Sequence, residues 1–345
     1  MSGLLKLLVD IITWPPLFQL VIAPGLVAAL VIVIFILWFE RKTAARVQMR
    51  IGPYHVSPRI GGGLQLIADL VRYSFQEIII PKAADKPIFI GAPLAALVIS
   101  LLPVVAMPFT TVPKYYPIPM DYSLLIAVAL STLSPVFIIA AGWASNNKFS
   151  IIGGLREAFV ITAYELLIVI TALAGGVAVL SYNLTDIVVA QKPFYKWILF
   201  TNPIAALTMF AAILMATSGF PFEIPEAENE IVAGAYTEYS GLMYGINMGA
   251  AYIKRFAYSL LFTLIFLGGW LPYEPSSGLI HGYLIPLVIV LVKSTIVMAI
   301  MSFLRAVYGR FRIDQALDGA WRIFIPLALI GFGIALIEAY LGVYA

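Results

Sequence analysis

Residues 158–181 read AFVITAYELLIVITALAGGVAVLS, an apolar run that contains a single carboxylate, Glu165. A helix that crosses a bilayer needs roughly 20 mostly apolar residues. In lipid the backbone must satisfy its own hydrogen bonds, which a helix does and an open sheet edge does not. The run therefore predicts a membrane-spanning α-helix and decides the class of fold.

Seven further apolar runs of similar length lie along the chain. The sixth span is the longest and contains Lys254 and Arg255, which favours a tilted or partly interfacial helix. We predict an all-α integral membrane protein, a single polytopic domain over residues 1–345 with eight transmembrane helices. The spans lie near residues 17–39, 88–109, 122–142, 158–181, 198–219, 242–271, 283–304 and 322–343.

The composition agrees with this class. The chain of 345 residues is 62% hydrophobic and 11% charged, whereas soluble domains carry about 25% charged residues. It contains no Cys, and its two His residues, His55 and His281, are far apart in sequence. Disulfides and thiolate-bound clusters are therefore excluded, and no metal site is expected. The net charge of +3 is too small to indicate nucleic-acid binding.

Lys and Arg are distributed unequally between the two sides of the membrane. One set of loops holds 14 of them, whereas the N-terminus and the opposite loops hold four. Because cytoplasmic loops are enriched in Lys and Arg, the first set is predicted to be cytoplasmic and both termini external, in a cell inner membrane. The cytoplasmic loops are residues 40–87, 143–157, 220–241 and 305–322.

Two segments outside the spans have an amphipathic pattern. Near the N-terminus, Lys6 and Asp10 lie four positions apart before Pro15-Pro16, which predicts a short interfacial helix. In the largest cytoplasmic loop, residues 62–78 read GGLQLIADLVRYSFQEI, with polar and apolar residues at helical spacing. This second helix is interpreted either as lying on the membrane surface or as a wall of a cavity that binds an amphiphile.

The cytoplasmic loop at residues 220–241 is acidic, with five carboxylates in sixteen positions and no Lys or Arg between them. Three interpretations are open: a solvated loop, a helix that begins near Pro225 with carboxylates at its positive end, or a water-containing cluster that titrates as a group. The apolar flanks FPFEIP and IVAGAY favour the third. The carboxylates are Glu223, Glu226, Glu228, Glu230 and Glu238.

Glu165 lies eight positions into the fourth span. A charge at such depth costs ~3 kcal/mol or more and commonly marks a proton or substrate path. The alternative is a neutral Glu165 that is hydrogen-bonded to another helix. Arg156 and Glu157, just over two turns earlier, could pass protons on or pair with each other.

Three cations also fall inside spans. Lys254 and Arg255 are adjacent and point in different directions on a helix, so we expect them either to pair with the loop glutamates just upstream or to extend to the interface. Lys293 lies about half-way through the seventh span and is interpreted as facing a polar cavity.

Six segments, in this order, resemble the quinone-site membrane subunit of respiratory complex I, in both its bacterial and its mitochondrial forms. The resemblance covers nearly the whole chain from the first span onward. The segments are ERKTAARVQMRIGP at 40–53, GGLQLIADLVRYSFQEIIIPKAADKPIF at 62–89, GWASNNKFSIIGGLREAFVITAYE at 142–165, FPFEIPEAENEIVAGAYTEYSG at 220–241, FLGGW at 266–270 and RFRIDQALDGAW at 310–321.

The resemblance implies a component of a multi-subunit donor:quinone oxidoreductase that translocates protons. In that family this membrane protein forms most of a tunnel for the quinone, and its carboxylates link quinone chemistry to proton movement. It binds no redox cofactor itself; iron–sulfur clusters, and in some members flavin, belong to partner subunits. The implied partners are other membrane-arm and hydrophilic-arm subunits, lipid and quinone.

The resemblance also implies roles for particular residues. The proton-coupling set is Glu165, Glu223, Glu226, Glu228, Glu230 and Glu238. The quinone-tunnel set is Arg41, Arg46, Arg50, Asp69 and Arg72.

One departure from the family keeps an alternative open. Ala251 falls where many relatives have a Glu in the sixth span, and Lys254 and Arg255 follow one turn later. The alternative is a membrane anchor subunit of an energy-converting hydrogenase, or of a complex fed by ferredoxin or deazaflavin. A stand-alone transporter, with Glu165 and Lys293 as ligands, is disfavoured because no inverted repeat is visible.

Overall fold

The computed structural model describes residue 21 and residues 24–112, 120–276 and 278–344, without the side chains of Glu228 and Asn229. The N-terminal interfacial helix predicted around Lys6 and Asp10 lies outside these residues. Within them the chain is helical, and no residue is in a β-strand.

Twelve helices of seven or more residues occur in the described part of the chain. They are α1 Leu26–Val47, α2 Gln65–Phe75, α3 Lys86–Leu101, α4 Ser123–Ser131, α5 Ser134–Ala144, α6 Lys148–Val179, α7 Leu184–Ala190, α8 Pro203–Ala216, α9 Gly241–Phe266, α10 Ile285–Val307, α11 Ile313–Gly319 and α12 Ile325–Tyr340. Shorter helical turns are Pro58–Ile60, Leu102–Ala106, Phe194–Lys196, Ile198–Thr201, Glu228–Ile231, Gly234–Tyr236, Ile280–Leu284 and Ala320–Phe324.

Five helical units in the described residues are long and apolar enough to cross a membrane. They are Lys86–Ala106, Ser123–Ala144, Lys148–Val179, Ile280–Val307 and Ile313–Tyr340. They overlap five of the eight predicted spans, although Lys148–Val179 and Ile313–Tyr340 begin 10 and 9 residues before the predicted starts at residues 158 and 322. The other three predicted spans overlap α1, α8 and α9: α8 has only 14 residues, while α1 and α9 carry charged side chains inside the bundle.

The long helix α6 occupies the centre of the bundle and packs against α5, α8 and α12. Helix α9 packs against α3 and α10, and α10 in turn packs against α1. Large aromatic side chains fill the interior, among them Tyr164 of α6 and Tyr258 of α9, both 0% exposed. The bundle therefore brings α1, α9 and α10 together on one side of α6.

Helix α2 lies where the sequence pattern predicts it, but its apolar face points away from the rest of the chain. Leu66 packs inward. Ile67, Val71 and Phe75 are exposed, and Phe75 retains 88% of its accessible surface. A row of exposed apolar side chains of this kind marks a surface that contacts lipid or another protein.

The acidic loop is fixed between α3 and α6 by close packing. Tyr239 stacks on Phe89 of α3, with ring centroids 4.1 Å apart, and its hydroxyl donates a hydrogen bond to the Phe89 carbonyl at 3.1 Å. On the other side, Gly153 of α6 meets the Gly234 backbone so closely that an added Cβ would lie 2.6 Å from the Gly234 carbonyl carbon. The loop is therefore an integral part of the bundle.

Lys293 of α10 is surrounded by backbone carbonyl groups. Its Nζ atom donates hydrogen bonds to the carbonyls of Leu267, Gly269 and Leu271, at 2.7, 2.8 and 2.6 Å, and it lies 4.2 Å from the centre of the Trp197 ring. These carbonyls belong to the turn that follows α9, where Gly269 has a positive φ of 48°. Where the sequence predicted a polar cavity, Lys293 contacts the backbone carbonyls of this turn and stabilises its conformation.

We expect Gly153→Ala to destabilise the protein, because the new methyl group overlaps the loop backbone and overpacking costs about 1–3 kcal/mol. The measurement is thermal unfolding of the purified protein in detergent. Gly91→Ala is the matched control, because Gly91 lies in α3 with no atom within 4 Å of an added Cβ. Equal melting temperatures for the two variants would contradict close packing of the loop on α6.

Candidate functional site

A buried carboxylate, Glu40 of α1, accepts hydrogen bonds from two other helices. Tyr252 and Arg255 of α9 donate to it at 3.1 and 3.2 Å. Ser302 of α10 donates at 3.1 Å, and Arg305 of the same helix forms an ion pair with it. Glu40 is 4% exposed, and four donors offset the cost of removing its charge from water.

Arg305 extends this arrangement to the acidic loop. Its second nitrogen lies 3.5 Å from Glu223, which also pairs with Arg310. We call this set of charged residues, Glu40, Arg255, Arg305, Glu223 and Arg310, the Glu40 network. No Lys or Arg lies between the loop carboxylates in the sequence, and the counter-charges of Glu223 are two arginines more than 80 residues away.

Glu226 lies beside this network and is partly buried. Burial raises its pKa to about 7, and the negative charges of Glu223 and Glu157 act in the same direction against the opposing effect of Arg305 and Arg255. A carboxyl group with such a pKa changes its protonation state near neutral pH. Among the described loop carboxylates, Glu226 has the environment that suits proton exchange.

The remaining loop carboxylates are directed elsewhere. Glu230 pairs with Arg156 of α6 at 2.5 Å. Glu238 accepts a hydrogen bond from Asn147, whose side-chain oxygen also caps α6 by accepting from the Phe149 backbone at 2.9 Å. The side chain of Glu228 lies outside the described residues. The structure thus brings Glu223 and Glu226 together and places Glu230 and Glu238 against the start of α6.

A second buried pair joins α6 and α9. Lys254 Nζ lies 3.9 Å from Glu157 Oε1, and the Tyr164 hydroxyl donates to the same carboxylate at 2.9 Å. Glu157 is 1% and Lys254 4% exposed. Glu165 is only partly buried and lies within electrostatic reach of both.

These contacts correct two expectations from the sequence. Lys254 and Arg255 contact Glu157 and Glu40, not the loop glutamates upstream of them, and both are buried within the bundle. Arg156 pairs with Glu230 rather than with Glu157. Helix packing brings residues from distant parts of the chain closer than the charges that are nearby in sequence.

A polar cavity of about 530 Å³ lies between the end of α1 and α2. Four of the five residues in the predicted quinone-tunnel set line it, together with Pro53 and Gln65. These four are Arg41, Arg50, Asp69 and Arg72. Arg46 is on the last turn of α1, exposed, and is not part of this lining.

Asp69 is the anionic side chain among the cavity-lining residues. Arg41 pairs with it at 2.7 Å and Gln65 donates to it at 3.2 Å. Partial burial alone raises the pKa of Asp69, but the hydrogen bonds from Arg41 and Gln65 outweigh it and lower the pKa below its usual value. Asp69 is therefore ionised at neutral pH, and the three arginines keep the cavity positive.

Sequence reasoning missed the partners of Glu40. Glu40 and Arg41 are adjacent in the segment ERKTAARVQMRIGP, and consecutive residues of a helix point about 100° apart. Arg41 therefore reaches the cavity while Glu40 enters the bundle. The signal that could have identified Glu40 is a carboxylate at the end of one apolar run together with unmatched cations, Arg255 and Arg305, in or beside two others.

In the described residues, no group of three or more His, Cys, Asp or Glu side chains could hold a metal ion. The site is composed of carboxylates, basic side chains and tyrosines. Groups of this kind can exchange protons, and guanidinium donors can bind polar groups.

Comparison with known proteins gives a consistent result. The family model described as NADH dehydrogenase matches residues 20–336. The H subunit of the NADH-quinone oxidoreductase of Geobacillus kaustophilus is 38% identical over 302 residues, which are 87% of this chain and 88% of that protein. The proteins of the same name from Brevibacillus brevis and Bacillus cereus are 36% and 35% identical, over 92% and 84% of both chains.

The matched region contains all five helical units that are long enough to span a membrane except the last residues of the final helix. The chain is therefore a multi-pass membrane protein, and it belongs to the NADH dehydrogenase family as an H subunit of the NADH-quinone oxidoreductase type.

Proposed function

We propose that this chain forms the quinone tunnel and the first part of the proton-coupling path in a complex I-like, proton-translocating oxidoreductase. One observation carries the proposal. Ionisable side chains follow one another from the cavity at Arg41, through the Glu40 network and Glu226, to Glu157 and Glu165 inside the bundle. This succession of groups supports a physical connection between a binding site and a proton path.

The cavity beside α2 suits the polar head of a quinone. Carbonyl oxygens are hydrogen-bond acceptors, and Arg41, Arg50 and Arg72 supply guanidinium donors around the cavity. The exposed apolar side chains of α2 extend from the same region and suit an isoprenoid tail. The head group would bind within reach of Arg41, next to Glu40 on α1.

Proton coupling follows from the electrostatics of the loop. Reduction of a quinone to a quinol takes up two protons, which changes the charge felt by nearby arginines and carboxylates. Because Glu226 has a pKa of about 7, a small change in the potential set by Arg305 and Glu223 shifts its protonation. The Glu40 network would transmit that change from the cavity to the loop.

We also propose a complete arrangement of spans and loops in the membrane. Helices α1, α8 and α9 complete a set of eight spans with the five long apolar units. Both termini lie outside, and the acidic loop is cytoplasmic, as the distribution of Lys and Arg indicates. Electrons arrive from iron–sulfur clusters of partner subunits, and this chain contributes the membrane side of the quinone site.

Ala251 favours one alternative, the anchor subunit of an energy-converting hydrogenase, because the family's acidic residue in the sixth span is absent. The relatives named above are quinone oxidoreductase subunits, which supports the first proposal. A nickel-binding four-cysteine pattern in a neighbouring gene would support the alternative. Uptake of a solute by liposomes that contain this chain alone would support a transporter instead.

The deciding experiment uses the purified native complex in proteoliposomes with its reductant and a short-chain quinone. We expect quinone reduction coupled to proton movement, both blocked by a tunnel inhibitor.

We expect Glu226→Gln to lower both rates about tenfold or more, in line with the loss of a positioned proton-transfer group. Glu274→Gln, in an exposed pair with Lys192, is the matched control. Hydrogen evolution without quinone reduction would refute the tunnel.

The pKa of Glu226 gives a prediction for pH. With a pKa of about 7, Glu226 changes from mostly protonated to mostly ionised between about pH 6 and about pH 8. The folded protein retains a proton that the unfolded chain loses near the ordinary pKa of 4.5, so the contribution of Glu226 to stability falls as pH rises from near 4.5 to about 7 and changes little above that.

Infrared difference spectra of the complex across this pH range measure the titration. We expect the loss of a protonated-carboxyl band that is absent from the Glu226→Gln complex. An identical band in that variant would show that another group titrates, and a midpoint near the ordinary value for Glu would contradict the burial of Glu226.

The Asp69–Arg41 pair predicts an effect on quinone binding. We expect Asp69→Asn to raise the apparent KM for a short-chain quinone about two- to fivefold with little change in kcat, because a partly exposed pair contributes ~0.2–1 kcal/mol. Asp186→Asn is the control, since Asp186 is exposed, lies on α7 and bonds Ser181 at 2.9 Å. A fall in kcat with unchanged KM would argue against a binding role.

A further inference from the structure

The buried pair of Glu157 and Lys254 differs from the other buried ion pair in the bundle. Glu40 has donors on both carboxylate oxygens. Glu157 has one donor, Tyr164, and its Oε2 atom is buried with no hydrogen-bond partner among the described residues. The distance of 3.9 Å to Lys254 Nζ is longer than a hydrogen bond.

An arrangement of this kind is poorly suited to a purely structural role. A buried oxygen without a donor costs about 1–3 kcal/mol, and such atoms in native proteins commonly mark a catalytic role or a bound water. A contact longer than 3.5 Å between charged groups is often bridged by water. The Glu157–Lys254 gap therefore has the polar partners that a bridging water and a transferable proton require.

Lys254 also occupies a central position among carboxylates. Glu157, Glu165 and Glu226 all lie within its electrostatic reach, and its ammonium group lies 5.4 Å from the centre of the Tyr164 ring. Glu226 belongs to the cytoplasmic loop, whereas Glu165 lies eight residues beyond Glu157 along α6, or about 12 Å at 1.5 Å per residue. Lys254 is thus within electrostatic reach of both Glu226 and Glu165.

We propose that Lys254, held beside Glu157, is a proton-transfer residue between the loop carboxylate Glu226 and Glu165, an inference that rests on the proposed proton-coupling function. In one step an N–H bond of the Lys254 ammonium breaks and an O–H bond forms on the Glu165 carboxylate. In the next, the neutral amine takes the proton from the Glu226 carboxyl group, whose electron pair stays on oxygen. Ionised Glu157 stabilises the ammonium form and keeps it between the two carboxylates.

This role also accounts for the sixth span of this chain. Ala251 lacks the carboxylate that the family's pattern places there, and one turn later Lys254 supplies a proton-carrying group on the same helix. The proton is then carried by an amine and its paired carboxylate from the facing helix α6. Lys254, a basic residue, thus takes the place of the missing carboxylate on the proposed proton path.

Replacement of Lys254 by Arg distinguishes a proton-transfer role from a purely electrostatic role. Lys254→Arg keeps a positive charge beside Glu157, but a guanidinium group does not release its proton in proteins. We expect Lys254→Arg and Lys254→Met to lower proton movement and quinone reduction alike, about tenfold or more, when normalised to the amount of assembled complex. Lys192→Met, at an exposed lysine paired with Glu274, is the matched control and is expected to retain full activity.

The outcomes distinguish this inference from the proposed function. If Lys254→Arg retains the native rates while Glu226→Gln and Glu165→Gln lose them, Lys254 provides charge only and the inference is overturned. If the Glu226 and Glu165 variants also retain the native rates, the proposed function itself is wrong. Should the Met variant not assemble, Lys254→Gln takes its place.

Glu157→Gln is an independent probe, because it preserves the shape of the side chain and removes only the charge partner of Lys254. Proton movement is expected to fall in the same way, with the complex assembled. Unchanged proton movement in this variant overturns the inference whatever the Lys254 variants do.

Discussion

The bonding of the Glu40 carboxylate is the interaction on which the rest of the site depends. A single ionised group from α1 is removed from water only because α9 and α10 both present donors to it. Removal of one partner from such a buried pair costs about 3–5 kcal/mol, since the other charge is left uncompensated. The crossing of the three helices and the position of Arg305 at Glu223 are therefore coupled, and the acidic loop takes its place from the same interaction.

Two kinds of buried charge occur side by side in this bundle. The Glu40 carboxylate accepts from donors on both of its oxygens, which suits a rigid element that transmits a change in charge without moving far. Glu226, Glu157 and Lys254 are less completely bonded, which suits groups that exchange protons. The contrast follows from the number of donors. Four donors hold a buried carboxylate in its ionised form, whereas a single donor stabilises that form much less.

The helices were predictable because the thickness of a bilayer sets the length of apolar sequence that a spanning helix needs. The amphipathic segment predicted at residues 62–78 forms α2 over Gln65–Phe75, and four of the five residues assigned to the tunnel line one cavity. The partners of the buried charges were not predictable in this way. Arg255 and Glu40 are separated by 215 positions, and only the packing of α9 on α1 and α10 brings them together. Proximity in sequence pointed instead to the loop glutamates, which are nearer along the chain but form no ion pair with Lys254 or Arg255 among the described residues.

The outward-facing apolar row of α2 has a consequence for the life of the chain before it joins a complex. Ile67, Val71 and Phe75 are 44%, 49% and 88% exposed, so until lipid or a neighbouring protein covers them they form an apolar surface that favours association. A chain produced in excess of its neighbours would expose that surface to other copies of itself. Cover of α2 by lipid or by a neighbouring protein would remove that apolar surface from water and prevent self-association of this kind.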